Sequence, residues 1–266
     1  ESFEMLDGNG ENHLFTKQDE NFYALLTGMG SCGIIHTITL NVVKAFQMHA
    51  LTDTADFNEL IDNLDKYVDG YDHFKFWWLA PSKKVMVFKN NRTTKNRNDS
   101  DLVRFLKDDV ISVLMYRLLV FIGKLNRKKF IPGINRFLTK VGGKRFERIC
   151  KSYIGFLTPL PPIHRETEWS FDSKEAQRLL KEYKELLLQH GHTYNFVQEV
   201  RFTKADEFWL SPAYKRDTIW LSMYNMDTNE NWNNQLKNFE AWAIKNGGRP
   251  HWGKEADINK EYLDKQ

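Results

Sequence analysis

The sequence predicts an α+β fold in which an antiparallel sheet is covered by helices on one face. Three observations predict it. Two stretches run in the same order of strand, helix, strand and strand, one from "AFQMHALTD" to "KKVMVFKNN" and one from "ETEWSF" to "TIWLSMYNM". The helical segments carry apolar residues at helical spacing, whereas the strand segments alternate. The 266 residues are 41% apolar and 14% aromatic, enough to bury a substantial core.

In chain order, "ESFEMLDGNGENHLFTKQDENF" reads as a strand, a turn at Asp7 to Gly10 and a second strand. This opening looks like entry into the middle of a domain, so the sequence is expected to be part of a longer chain. A short helix over Phe22 to Leu26 meets Gly28, Gly30 and Gly33, and "IIHTITLNVV" follows as a β-branched strand. Composition changes after about residue 44. "TADFNELIDNLDKYVDG" places Phe57, Leu60, Ile61, Leu64 and Val68 on one side of a helix. "HFKFWWLAP" and "KKVMVFKNN" then pair across a Pro-Ser turn. "NRTTKNRNDSD" is a polar loop, followed by basic helices over about 101–126 and 132–151 and a Pro-rich connector, "TPLPPIHRE". Asp172 and Glu175 have capping-box spacing before a helix with Leu179, Leu180, Tyr183 and Leu187 on one face and Gly191 as its stop. "YNFVQEVRFT" and "TIWLSMYNM" are strands, and "WNNQLKNFEAWAIKNGG" is a helix stopped by Gly247 and Gly248.

Several function classes are disfavoured at this point. No run of eighteen uncharged apolar residues is present, so no ordinary membrane span is expected. Cys32 and Cys150, the two cysteines, form no disulfide framework, and neither they nor the histidines show metal-ligand spacing; no metal is expected. The overall charge of +3 conceals a basic block: Val103 to Lys151 holds thirteen Lys and Arg against three Asp and Glu, a local net of +10. Such a block is either a solvated face or a surface for anionic membrane. No recognised nucleic-acid motif accompanies it, so no nucleic-acid partner is expected. The expected location is cytoplasmic or peripherally membrane-associated.

Three segments can carry chemistry. In "VQEVRF", strand alternation points Glu199 and Arg201 to one face and Val200 and Phe202 to the other. The pair is either a solvated ion pair or the lining of a pocket in which Arg201 keeps Glu199 ionised. In "GGRPHWGK", His251 and Lys254 either pack after a helix stop or offer a hydrogen bond and a cation to a ligand. In "GMGSCG", the glycines precede a strand, so this is not a dinucleotide fingerprint; it is a tight turn or a close backbone approach to a ligand.

Taken in order, "FYALLTGMGSCGIIHTITLNV", "EVRFTKADEFWLSPAYKRD" and "GGRPHWGK" resemble three signatures of the FAD-linked sugar-lactone and alditol oxidases, a family that includes arabinonolactone, gulonolactone and alditol oxidases. The likeness runs through most of the chain and is weakest between about 90 and 165. It implies that residues 1–44 end an FAD-binding domain and that 45–266 form a substrate or cap domain, with a basic helical insertion at about 101–151. It implies FAD beside Gly28, Gly30, Gly33, Ile35 and His251, and a substrate site lined by Glu199, Arg201 and Lys254. The implied reaction oxidises a CH–OH group of a sugar lactone or polyol by hydride transfer to flavin N5. Molecular oxygen or another electron acceptor would complete the cycle.

There are departures from the family pattern. Its N-terminal FAD segment is absent, and its usual C-terminal tail stops early at "YLDKQ". Alditol oxidases carry a histidine on the strand after "LSPAY", where this sequence has Ser222 nearby, closer to the lactone oxidases. The competing expectations are an alditol oxidase or dehydrogenase with another acceptor, and a membrane-binding or interaction module without catalysis.

Overall fold

In the computed structural model, residues 1–100, 126–156, 164–189, 194–226 and 231–264 are described, with isolated positions between 102 and 122. They divide into two compact units: 1–44 with 203–218, and 45–202 with 219–266.

The first unit holds a three-stranded antiparallel sheet of β1 (Ser2–Leu6), β2 (Asn12–Thr16) and β3 (Ile34–Thr39), in the order β2-β1-β3. The β1–β2 turn closes because Asp7 accepts hydrogen bonds from the amides of Asn9 and Glu11, while Gly10 takes φ +83°. Helix α1 (Glu20–Leu25) seats Phe22 against Phe3, with ring centroids 5.5 Å apart. Segment 203–218 joins this core from far along the chain. Phe208 packs on Phe22 and Tyr23, and the Trp209 amide donates to the Tyr23 carbonyl at 3.0 Å. Sequence reading had placed that segment with the residues around it.

The second unit is built on an eight-stranded sheet of β4 (Gln47–Asp56), β5 (His73–Trp78), β6 (Lys84–Thr93), β7 (Phe146–Lys151), β8 (Arg165–Asp172), β9 (Gln198–Thr203), β10 (Thr218–Asn225) and β11 (Arg249–Pro250). Its order is β11-β8-β10-β9-β5-β6-β4-β7, and the pairings of β11 with β8, β9 with β5, β5 with β6, β6 with β4 and β4 with β7 are antiparallel. The strand, helix, strand, strand repeat is visible in this order. Each half sets its third strand between its first and second, and the halves meet where their second strands, β5 and β9, pair.

Alternation assigns the two faces. Phe74, Phe76 and Trp78 of β5, Val200 of β9, and Ile219, Leu221 and Met223 of β10 point into one core with α2 (Phe57–Asp62), α3 (Leu64–Val68), α6 (Ala176–Leu188) and α7 (Asn231–Lys245). Burying each large side chain there contributes about 1.5–3 kcal/mol before the cost of ordering the chain. Asp56 caps α2 by accepting from Asn58 and Glu59. Asn63 leaves helical geometry at φ −115°, ψ 24°, so the single helix expected there is two short ones. Asp172 accepts from the Lys174 amide as an ordinary cap, and Glu175 turns to Arg178, so the expected capping box does not form.

One expected helix is corrected. Over 132–151 the chain forms α4 (Arg127–Gly142) and then β7, with α5 (Ser152–Phe156) beyond. Helix α4 stops at Gly143, where an added Cβ would stand 2.2 Å from the Thr54 side chain. "FERICK" then alternates and pairs with Gln47–Thr52 of β4, burying Cys150 with Met48 and Ile154. Most of the expected helix over 101–126, most of the Pro-rich connector and Gly191 lie outside the described residues.

Candidate active site

The face of the second unit's sheet away from the helical core is polar at its centre. From β5 come Lys75 and Trp77, from β9 Glu199 and Arg201, from β8 Glu166 and Glu168, and from β10 Trp220, Ser222 and Tyr224. Register brings β5 and β9 together, with Lys75 opposite Arg201 and Trp77 opposite Glu199. Two cations directly across a sheet repel. Here each has a carboxylate to turn to.

Lys75 Nζ donates to Glu199 Oε1 at 2.7 Å, and Trp77 Nε1 donates to the same oxygen at 2.9 Å. Burial alone would raise the Glu199 pKa. The Lys75 charge and hydrogen bond, the Trp77 N–H and the nearby Arg201 charge outweigh it and hold the carboxyl below its usual range. Arg201 forms a fork with Glu168, Nε to Oε1 at 2.9 Å and Nη2 to Oε2 at 2.7 Å. Burial would lower the Arg201 pKa, but the Glu168 charge and hydrogen bonds raise it. Ser222 Oγ donates to Glu168 Oε1 at 3.1 Å. Glu199 and Arg201 therefore share a face, as alternation required, but each has its main partner on another strand.

The "GGRPHWGK" loop is attached to the same face through β8. Gly247, at φ +66°, ends α7, and β11 pairs Arg249 with Ser170 and Pro250 with Trp169. The His251 amide then donates to the Glu168 carbonyl at 2.9 Å, and the Lys254 ammonium bonds Glu166 Oε2. The Trp220 ring lies 5.9 Å from the His251 ring, and the Arg201 guanidinium stands 5.5 Å from it. Tyr224 completes the cluster; burial first, then the Glu199 and Glu166 charges, push its hydroxyl well above the usual range. It stays a neutral hydroxyl.

Glu199, Arg201, Lys254 and His251 are thus gathered on one surface. Gly28, Gly30, Gly33 and Ile35 are in the first unit. Gly30 has φ +71° with open space where a Cβ would stand, and a Cβ at Gly33 would come 2.4 Å from the Leu6 carbonyl. Ile35 packs beside Phe3, Met5 and Phe22. In the same unit Asp7, Glu11 and His13 hold possible ligand atoms within 4.8 Å of one another, a hairpin cluster in which Glu11 is exposed, Asp7 and His13 are half-buried, and Asp7 already bonds His13.

Sequence reasoning missed Lys75, Trp77, Glu166, Glu168 and Trp220. Their signal was the same alternation that found Glu199. "HFKFWW" puts Lys75 and Trp77 opposite the three core aromatics, and "RETEWSF" puts two glutamates on one side of a strand whose other side is buried Trp169 and Phe171.

The fold and this face define a class before they define a family. A cholesterol oxidase from Brevibacterium sterolicum superposes with a TM-score of 0.78 at 14% identity, covering 96% of this chain and 58% of that one. This chain therefore shares the fold of a little over half of that protein. The family model of D-arabinono-1,4-lactone oxidase matches residues 38–266, and the chain belongs to that family. An L-gulonolactone oxidase from Bos taurus is 27% identical, over 92% of this chain and 56% of its own length. An L-gulono-1,4-lactone dehydrogenase from Mycobacterium tuberculosis is 23% identical, over 95% of this chain and 58% of its own length. The chain spans a little over half the length of these curated relatives.

Proposed function

We propose that this chain carries the substrate site of an FAD-dependent oxidoreductase that oxidises a CH–OH group of a sugar lactone. The observation that carries the reading is the polar sheet face, on which the E-x-R strand and the HWGK loop meet through Glu166 and Glu168. Its three cations, Lys75, Arg201 and Lys254, stand among three carboxylates, Glu166, Glu168 and Glu199. Such a face suits a neutral ligand rich in hydroxyls. Relatives named for gulonolactone and a family named for arabinonolactone support a lactone, as does Ser222, buried against Glu168 near the place where alditol oxidases carry a histidine.

FAD fits the residues present. The bare, positive-φ backbone at Gly30 and the exposed segment around it allow close approach by an extended ligand. Gly28, Gly30, Gly33 and the Ile35 backbone would lie along it, and His251 would touch it. We take residues 1–44 as the end of the FAD-binding domain, with 203–218 packed in the same unit, and the rest of 45–266 as the substrate domain. Bound FAD supplies the acceptor for the hydride that leaves the carbinol carbon. Arg201 and Lys254 stabilise the oxygen that develops negative charge. Glu199, held ionised, accepts the hydrogen bond of the substrate hydroxyl and orients it, and the hydroxyl proton leaves through that carboxylate to solvent as the hydride departs. Molecular oxygen is the proposed final acceptor; the dehydrogenase name of the mycobacterial relative supports a different one.

The test uses the flavin-loaded protein. Anaerobic addition of arabinono- or gulonolactone is expected to bleach the flavin absorbance, and admission of air to restore it with oxygen uptake. Arg201→Met and Lys254→Met are each expected to lower kcat/KM by about 10²-fold or more. Unimpaired turnover in both variants would sink the assignment.

A second reading concerns the membrane. On α4, Phe137 and Val141 are about half exposed beside exposed Arg136, Lys140 and Lys144, a combination that supports contact with anionic lipid. No helix among the described residues is long and apolar enough to cross a membrane. Flotation with phosphatidylserine vesicles is expected to retain the protein at low salt and release it at high salt, with Phe137→Ser weakening retention. Equal flotation with neutral vesicles removes the electrostatic part of this reading.

A further inference from the structure

Glu199 is bonded asymmetrically. Both of its donors, Lys75 Nζ and Trp77 Nε1, reach Oε1, and Oε2 has no hydrogen-bond partner among the described residues. The donors themselves are held firmly. Lys75 Nζ stands 5.0 Å from the Trp77 ring centre and 5.6 Å from that of Phe88, and the two rings meet edge-on at 4.6 Å. Packing does not require a lysine here. The side chain opposite it across the sheet is Arg201, a like charge that disfavours Lys75 unless Glu199 lies between them. Trp77 could likewise pack on Phe88 as a phenylalanine, without its N–H.

We propose that Lys75 and Trp77 are positioning residues: they fix the Glu199 carboxylate by Oε1 and so present Oε2 to a ligand hydroxyl as an acceptor of set direction. The inference rests on the reading of Glu199 as a substrate-site residue. The groups facing this carboxylate are Lys75 on β5, Arg201 on its own strand, and Tyr224 on β10, with Glu168 beyond Arg201 on β8 and Glu166 near Tyr224. Tyr224 is neutral, and Arg201 is committed to Glu168. Lys75 is therefore the cation whose removal leaves Glu199 most exposed to the cost of burial.

The experiment follows the Glu199 carboxyl by NMR in protein with isotope-labelled glutamate, the resonance being identified by its loss in Glu199→Gln. Lys75→Met is expected to move the Glu199 titration to higher pH by about one unit or more. Lys75→Arg is expected to keep it near its original position, and Trp77→Phe to move it upward by less than Lys75→Met does. The acid limb of kcat/KM for the lactone should move with the resonance, with KM rising more than kcat falls. An unchanged titration in Lys75→Met overturns the proposal. Should that variant fail to fold, Trp77→Phe decides, because it keeps the ring on Phe88 and removes only the donor; no upward movement there overturns it as well. The two readings fail separately. Displaced resonances with no lactone turnover by the unmodified protein support the clamp and reject the substrate; lactone turnover with unmoved resonances does the reverse.

Discussion

Glu168 is 1% exposed, so protein groups must replace the water its charge has lost. Arg201 provides two N–H bonds and Ser222 a third. Removing the cation alone leaves a buried carboxylate uncompensated. Arg201→Met is expected to cost about 2–4 kcal/mol, the lower part of the range because the guanidinium is partly open to solvent. Glu168→Gln combined with Arg201→Met should restore part of that, and a double-mutant cycle by urea unfolding measures it. Glu199 gives a pH dependence of opposite origin. Its folded pKa is depressed, so its pairing stabilises fully above the unfolded glutamate value of about 4.3 and is lost as pH falls through the lower folded value. Urea midpoints in Lys75→Met should lose that part of the acid dependence. At this scale the sequence singled out Glu199, Arg201, His251 and Lys254 as candidates but gave no sign of their partners. Alternation fixes which face a side chain joins; it does not say which strand lies alongside. Lys75 and Glu199 are brought together by a pairing across more than a hundred residues, which no local pattern encodes.

The return of the chain after α7 shows how an element aims a site. Gly248 follows Gly247 with its amide bonded to the Ala243 carbonyl, and a Cβ there would stand 2.7 Å from Phe171 and 2.8 Å from that carbonyl. Helix α8 (Lys260–Leu263) braces the same point, since Tyr262 donates its hydroxyl to the Gly248 carbonyl at 2.7 Å. Gly248→Ala is expected to destabilise by about 1–3 kcal/mol and to displace His251 and Lys254 from β8. A lowered Tm with a raised KM for the lactone would be its signature; an unchanged Tm would show that the turn has slack. The two glycines were legible as a helix stop, because their spacing after an amphipathic run is local. Strand β7 was not. Its basic residues continued the character of α4, and only the partner β4 selects a strand there, through the burial of Cys150 on Met48.

For the whole molecule, the repeat read from the sequence was sufficient to give the class of fold, and the strand order shows why. Each half closes locally, with its own helix and its own three strands, so its pattern is contiguous in the chain. What joins distant parts was hidden: the 203–218 segment leaves the second unit for the first, carried by Phe208 and Trp209 in a stretch whose composition gives no sign of it. Core burial governs overall stability. Leu180→Ala, at a fully buried position of α6, is expected to cost about 2–5 kcal/mol in urea unfolding without altering KM, since its side chain faces away from the polar surface.

The β5–β9 pairing is where the strands of the two halves meet, and it also carries Lys75, Trp77, Glu199 and Arg201. A ligand held by Glu199 therefore draws on both halves, because Lys75 and Trp77 of the first half hold that carboxylate of the second, and its binding energy opposes their separation. Amide hydrogen exchange can read this directly. Saturation with lactone should slow exchange in Lys75–Trp78 and Gln198–Arg201 more than in β7 at the sheet's far edge, making the seam's backbone a reporter of occupancy that needs no redox step.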